Sequence, residues 1–145
     1  MNIYSGSSKP EERILSNFAS TPFSININGE IYYCGSVEGF WQGLKCKGDM
    51  RLHVFSLGGM AAKNYGAGKK INSFELAGKN YTYGSKEHEA LIKEAIKQKV
   101  LQNPKVFKAL NESSGTITHH VPGASKPVIK MEKLLMQVRM EMFEH

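Results

Sequence analysis

The chain has 145 residues, 41% of them hydrophobic and 22% charged, with a formal net charge of +6 and a pI near 9.3. That length and apolar fraction suffice for one buried core, so a single domain over residues 1–145 is expected. No apolar run is long enough to span a membrane, and the N-terminus lacks the basic and apolar regions of a signal peptide, which predicts a soluble cytoplasmic protein with no membrane partner.

Residues 5–12, rich in turn formers, read as a flexible loop, suited to a flap over a site or to plain surface. Over 23–27 apolar and polar residues alternate, Asn28 and Gly29 supply a type I′ turn, and 30–34 return, which makes a β-hairpin. Ser36 then caps a helix over 37–47 that breaks at Gly48. Short helices are expected over 49–56 and 58–66, the second ending at Gly66 or Gly68. Ser85 caps the clearest helix, with acidic residues in its first turn and Leu91, Ala95, Ile96 and Val100 along one face. It ends near Asn103, and Pro104 opens another helix that stops by Gly115. The last helix covers about 128–143, with Ile129, Leu134, Leu135 and Val138 inward. The expected fold class is mainly α: one multihelical domain with one small β-hairpin.

The chemistry concentrates in residues 36–45. On a helix, Glu38, Gln42 and Lys45 fall four and three residues apart and project from one face. Seven residues of helix advance about 10 Å, leaving a gap about one sugar wide between Glu38 and Lys45, with Gln42 inside it. A carboxylate, an amide and an ammonium aimed into one cleft can stabilise a cationic sugar, hold its hydroxyls, and supply a nucleophile or an electrostatic clamp. The same spacing also describes an ordinary solvated helix face.

Leu15, Ser16, Asn17 and Phe18, followed by the hairpin and then by Ser36, Glu38, Phe40, Gln42 and Lys45, resemble the NADAR, or YbiA-like, family. Its pattern reads L/F-S-N-F and, after about twenty residues, S-x-E-H-x-F/Y-Q-x-x-K. Asn2 to Ser5 is similar to the family's N-F-Y-S element, and Gly59 to Lys63 and the helix from Leu91 to Leu110 also align. Gly39 stands where the family has His. The Trp before the long helix is absent, its place taken approximately by Tyr83 or Gly84, and residues 118–130 replace the family's C-terminal W-G-D/E-G loop and N-R-L-G element.

The resemblance implies an N-glycosidase that cleaves a ribose–nitrogen bond without a cofactor. Glu38 would stabilise the positive charge that develops at the sugar, and Gln42 would hold hydroxyls. Lys45 would either attack the opened sugar to form a Schiff base or hold a charged group. Ser16, Asn17 and Tyr4 would contact the same substrate, and Phe18, Trp41 or Tyr83 would stack on its base, although Phe18 and Trp41 suit a core equally. Two substrate branches follow: ADP-ribose attached to a guanine base, and ribosylamino-pyrimidine intermediates of the riboflavin pathway. A module that holds ADP-ribose or a related nucleotide without cleaving it is a third reading.

The basic balance favours anionic partners and leans toward ADP-ribosylated DNA. Yet Lys86, Lys93, Lys97, Lys99, Lys105 and Lys108 interleave with Glu87, Glu89 and Glu94 as on an amphipathic helix, and no nucleic-acid-binding signature is present. A domain this small would also suit a viral or defence-linked role, which would place it in a host cytoplasm. His119 and His120 point apart and have no third ligand at metal spacing, so no metal is expected. Cys34 and Cys46 read as reduced thiols. Gly66 and Gly68 match no phosphate-loop fingerprint, but Lys69 and Lys70 beside them are placed to meet a phosphate. Met131, Met136, Met140 and Met142 read as adaptable helix contacts.

Overall fold

The structure is a computed structural model that describes residues 1–3, 5–66, 68–119 and 128–144. The elements in order are α1 (Pro10–Leu15), β1 (Phe23–Ile27), β2 (Glu30–Cys34), α2 (Val37–Gly43), α3 (Gly48–Phe55), α4 (Gly59–Gly66), β3 (Ser73–Leu76), β4 (Lys79–Thr82), α5 (Lys86–Gln102), α6 (Pro104–Glu112) and α7 (Met131–Phe143).

The expected hairpin forms with Phe23 opposite Cys34 and Ile27 opposite Glu30. Asn28 and Gly29 both take positive φ, 51° and 89°, as a type I′ turn requires. Phe23, Ile25 and Ile27 face the core while the residues between them do not, so the alternation read from the sequence is the alternation of burial.

The mainly α class with one hairpin is corrected by a second antiparallel pair, β3 with β4, which makes the fold mixed α/β with two small sheets among the described residues. Phe74, Leu76 and Tyr81 bury its inner face. Its turn is Ala77 and Gly78, both at positive φ, 50° and 81°. Alanine in the left-handed region is unfavourable and carries no turn signal, which hides the hairpin from a sequence reading.

Three other boundaries differ from expectation. Pro10, pre-set for the first helical position, opens α1 inside the segment read as a loop. The carboxylate of Glu12 then turns inward, accepting the Asn2 N–H at 2.9 Å and the hydroxyl of Ser7, which ties the N-terminus to the helix. Helix α2 stops at Gly43, and the chain tightens into a three-residue turn: Lys45 N–H donates to the Gln42 carbonyl at 3.0 Å and Cys46 N–H to that of Gly43 at 2.9 Å. Helix α7 begins at Met131, three residues late.

Helix α5 is the central beam. Its buried residues Leu91, Ile92, Ala95, Ile96 and Val100 meet β1, β4, α2, α6 and α7. Phe40, Phe55, Ile92, Leu110 and Leu134 are nearly or fully buried in the resulting cluster, each worth about 1.5–3 kcal/mol of transfer free energy. At the opposite end of the sequence, Ile3 N–H donates to the Thr118 carbonyl at 2.9 Å and Thr118 N–H to that of Met1 at 2.8 Å.

Candidate functional site

Helix α2 is built to present one polar face. Ser36 caps it, accepting the Gly39 N–H at 2.9 Å and donating its own hydroxyl to the Leu57 carbonyl at 2.9 Å. Gly39 and Gly43 lie against α3: a Cβ on Gly39 would come within 2.7 Å of the Phe55 carbonyl, and one on Gly43 within 2.2 Å of the Phe55 ring. This close approach is why glycine follows Glu38. Phe40 faces the core, which leaves Glu38, Trp41 and Gln42 for the remaining side.

Glu38 accepts a hydrogen bond from Gln42 Nε2 at 2.8 Å, and its backbone N–H donates to the Asn17 carbonyl at 3.0 Å. Burial pushes the Glu38 carboxyl above its ordinary range, against the pull of the Gln42 hydrogen bond and the positive charges of Lys45 and Lys63. Lys45 is displaced the other way: burial lowers it, opposed by the charge of Glu38. Although α2 ends before Lys45, each of the two groups still feels the charge of the other. Gln42 is nearly buried, with its Oε1 unpartnered among the described residues and pressed against Gly66, where a Cβ would sit 1.6 Å away. Gln42 therefore holds Glu38.

An aromatic wall stands beside this pair. The Trp41 indole stacks on the His88 ring at 4.9 Å and 19°, and Tyr83 lies 5.6 Å from Trp41 and 5.0 Å from His88. The Gly84 N–H donates to His88 Nδ1 at 3.0 Å, which puts the imidazole proton on Nε2. Burial, with help from the Lys45 charge, lowers His88 to about 4, so the ring is neutral. Tyr83 is raised by burial and by the charge of Glu38.

A family model of the bacteriophage protein GP30.3 matches residues 11–138. The chain belongs to the GP30.3 family. Its fold is similar to the NMR structure of the E. coli protein YbiA, with a TM-score of 0.65 at 18% identity over 97% of this chain and 83% of that one. A YbiA-like fold is thereby shown. No curated protein matches the sequence.

In this GP30.3-family chain the 16–18 loop is fastened from three sides. Lys99 Nζ donates to the Ser16 carbonyl at 2.7 Å, the Asn17 carbonyl accepts from Glu38, and the Phe18 carbonyl accepts the Gly59 N–H at 3.2 Å. The Ser16 hydroxyl accepts the Phe18 N–H at 3.2 Å, and Ser16 and Asn17 are buried. The half-buried Phe18 ring lies under Lys63 Nζ, 5.5 Å from its centroid. The structure thus gathers Asn17, Phe18, Glu38, Gln42 and Lys45 with Trp41 and Tyr83 alongside, while Tyr4 and His120 lie outside the described residues. His119 is lowered by burial near Glu132.

Sequence spacing missed four contributors: Lys63, Gly66, His88 and Lys99. Lys63 sits at the end of the 59–63 segment and had a signal in that alignment. The others are recruited by α4 and α5 across the fold, which no local pattern reports.

Proposed function

We propose that this chain is an N-glycosidase of the NADAR type, acting on a ribose whose anomeric carbon is bonded to nitrogen. The observation that carries the reading is the opposed displacement of two neighbours: burial favours the neutral acid at Glu38 and the neutral amine at Lys45. Such a pair divides the work of acid and nucleophile. Glu38 gives its proton to the departing nitrogen as the C1–N bond breaks, and its carboxylate then stabilises the positive sugar. Lys45, as the free amine, bonds to C1; the C1–O bond of the ring breaks as a proton from that nitrogen passes to the ring oxygen, leaving a protonated Schiff base, which water hydrolyses to release the sugar, restore the amine and return a proton to Glu38. Gln42 keeps Glu38 aimed, and Trp41 and Tyr83 offer faces for the base.

The net charge of +6 supports a polyanionic substrate, so the proposed reaction is removal of ADP-ribose from a guanine base in nucleic acid. The test is to incubate the protein separately with guanine-ADP-ribosylated DNA and with the ribosylamino-pyrimidine phosphate, following release of ADP-ribose or ribose phosphate. Cleavage of the DNA adduct is expected; cleavage of the pyrimidine alone moves the reading to the second substrate, and ADP-ribose binding with no cleavage replaces it with a binding module. Borohydride added during turnover should leave a reduced sugar adduct on Lys45, and Lys45→Arg should be inactive. Absence of the adduct, with partial activity in Lys45→Arg, would reduce Lys45 to an electrostatic clamp.

A further inference from the structure

We propose that the cavity on the far side of Lys45 is an anion subsite that takes the phosphate end of the substrate, with Lys47 in its wall as a ligand and Lys69, beside Cys46, reaching in as a second. It rests on the N-glycosidase reading for what reacts and on separate residues for what binds. The cavity, about 360 Å³, lies between the turn that follows α2 and strand β3; Lys45, Lys47, Arg51 and Glu75 supply its charges, and Leu44 and Phe74 part of its apolar wall. Small-molecule sites have volumes of this order.

The charge in the cavity is fixed and positive. Arg51 is clamped by the carbonyls of Gly43 at 3.2 Å, Leu44 at 3.1 Å and Cys46 at 2.9 Å, and by that of Glu75, so its guanidinium cannot swing away. Glu75 Oε1 is occupied by the Gly78 N–H at 2.8 Å. Lys69 Nζ lies 3.6 Å from the sulfur of Cys46, a residue of the cavity wall. Among the described residues neither Lys47 nor Lys69 forms an ion pair. In the cavity wall Lys47, a locked guanidinium and the shared Lys45 therefore outnumber one engaged carboxylate, and Lys69 adds a further exposed ammonium beside Cys46.

Lys45 joins the two regions. It lines the cavity and is coupled to Glu38, which does not itself belong to the cavity wall. A substrate whose anomeric carbon meets Glu38 and Lys45 therefore has a cationic chamber one side chain away. This also gives a use to Lys69, which the catalytic reading leaves idle.

The experiment titrates the full chain with ribose 5-phosphate and, separately, with ribose, by calorimetry and by amide chemical shifts. Lys47→Gln/Lys69→Gln keeps the side-chain stems and removes two charges, and its melting curve reports whether the fold survives. The wild-type chain should bind ribose 5-phosphate more tightly than ribose, with shift changes in residues 44–51 and 73–75. The double variant should bind the phosphate about tenfold more weakly, as expected for loss of charge-assisted contacts, with ribose unaffected. Equal affinity for the two probes, an unchanged double variant, or shift changes confined elsewhere would overturn the subsite. The two readings fail separately. Lysine-dependent phosphate binding without cleavage of any glycoside removes the catalysis alone, and Glu38-dependent cleavage with phosphate affinity indifferent to both lysines removes the subsite alone.

Discussion

At the scale of single residues, Glu38 depends on a side chain that in turn depends on a missing one. Gln42 reaches Glu38 at 2.8 Å because Gly66 leaves space for its carbonyl oxygen, which a Cβ would approach to 1.6 Å. Gly66→Ala should push Gln42 off the carboxylate and lower kcat about tenfold or more, since a shift of about 1 Å at a reacting group is that costly. Overpacking should also cost about 1–3 kcal/mol in a denaturant melt. Gln42→Ala should lose a similar amount of activity, and the double variant no more than the worse single one, because both act through one carboxylate. Fully additive losses would show that Gly66 acts elsewhere. Glu38→Gln removes charge without volume; kcat should fall by about 100-fold or more while ligand affinity holds. Retained turnover would take Glu38 out of the reaction.

Among the elements, the two hairpins show what a sequence discloses and what it hides. Both use a two-residue turn with positive φ at each position: Asn28 and Gly29 in one, Ala77 and Gly78 in the other. Asparagine tolerates that conformation and advertises it; alanine adopts it at a cost of about 1–2 kcal/mol, supplied by burial of Phe74, Leu76 and Tyr81. Ala77→Asn should recover about 1 kcal/mol and raise Tm by about 2–4 °C, read by calorimetry. A lower Tm would mean that Ala77 makes a contact worth more than its strain. The same contrast governs the helices. Pro104 and Ser85 marked their helix starts in the sequence, and Ser36 marked that of α2. The early end of α2 was not legible, because the Arg51 guanidinium that gathers the carbonyls of Gly43, Leu44 and Cys46 arrives from the next helix. Local caps are written in the sequence beside the element they end; clamps from elsewhere are not.

Over the whole molecule, one buried lysine ties the central helix to the site. Lys99 lies inside the fold at 2% exposure and its Nζ donates to the Ser16 carbonyl at 2.7 Å, one residue before the carbonyl that receives the Glu38 N–H. A reading of α5 as a lysine-rich amphipathic face counted Lys99 with its exposed neighbours; the docking of the 16–18 loop is what encloses it. Burial lowers Lys99 to about 7, whereas the unfolded chain holds that proton to about 10.4. Between these values the unfolded state binds more protons than the folded one, so stability rises with pH, by up to about 1.4 kcal/mol per pH unit. His88, lowered to about 4, contributes in the same direction, but its share is complete by about pH 7. Cys34, pushed up to about 12 by burial, acts oppositely once the unfolded thiol ionises near 8.5. Lys45, also lowered by burial, acts in the same direction as Lys99, so the share of Lys99 is read as the difference between the wild-type chain and Lys99→Met in urea unfolding between about pH 7 and 8.5. Stability should climb across that window in the wild-type chain. In Lys99→Met the climb should flatten, leaving the share of Lys45, and kcat should fall because the Ser16 carbonyl loses its donor and the Asn17 backbone is no longer held against Glu38. A variant that keeps the wild-type slope would show that folded Lys99 keeps its proton through this window, and one that loses part of the slope but keeps full kcat would show that the 16–18 loop stands without it.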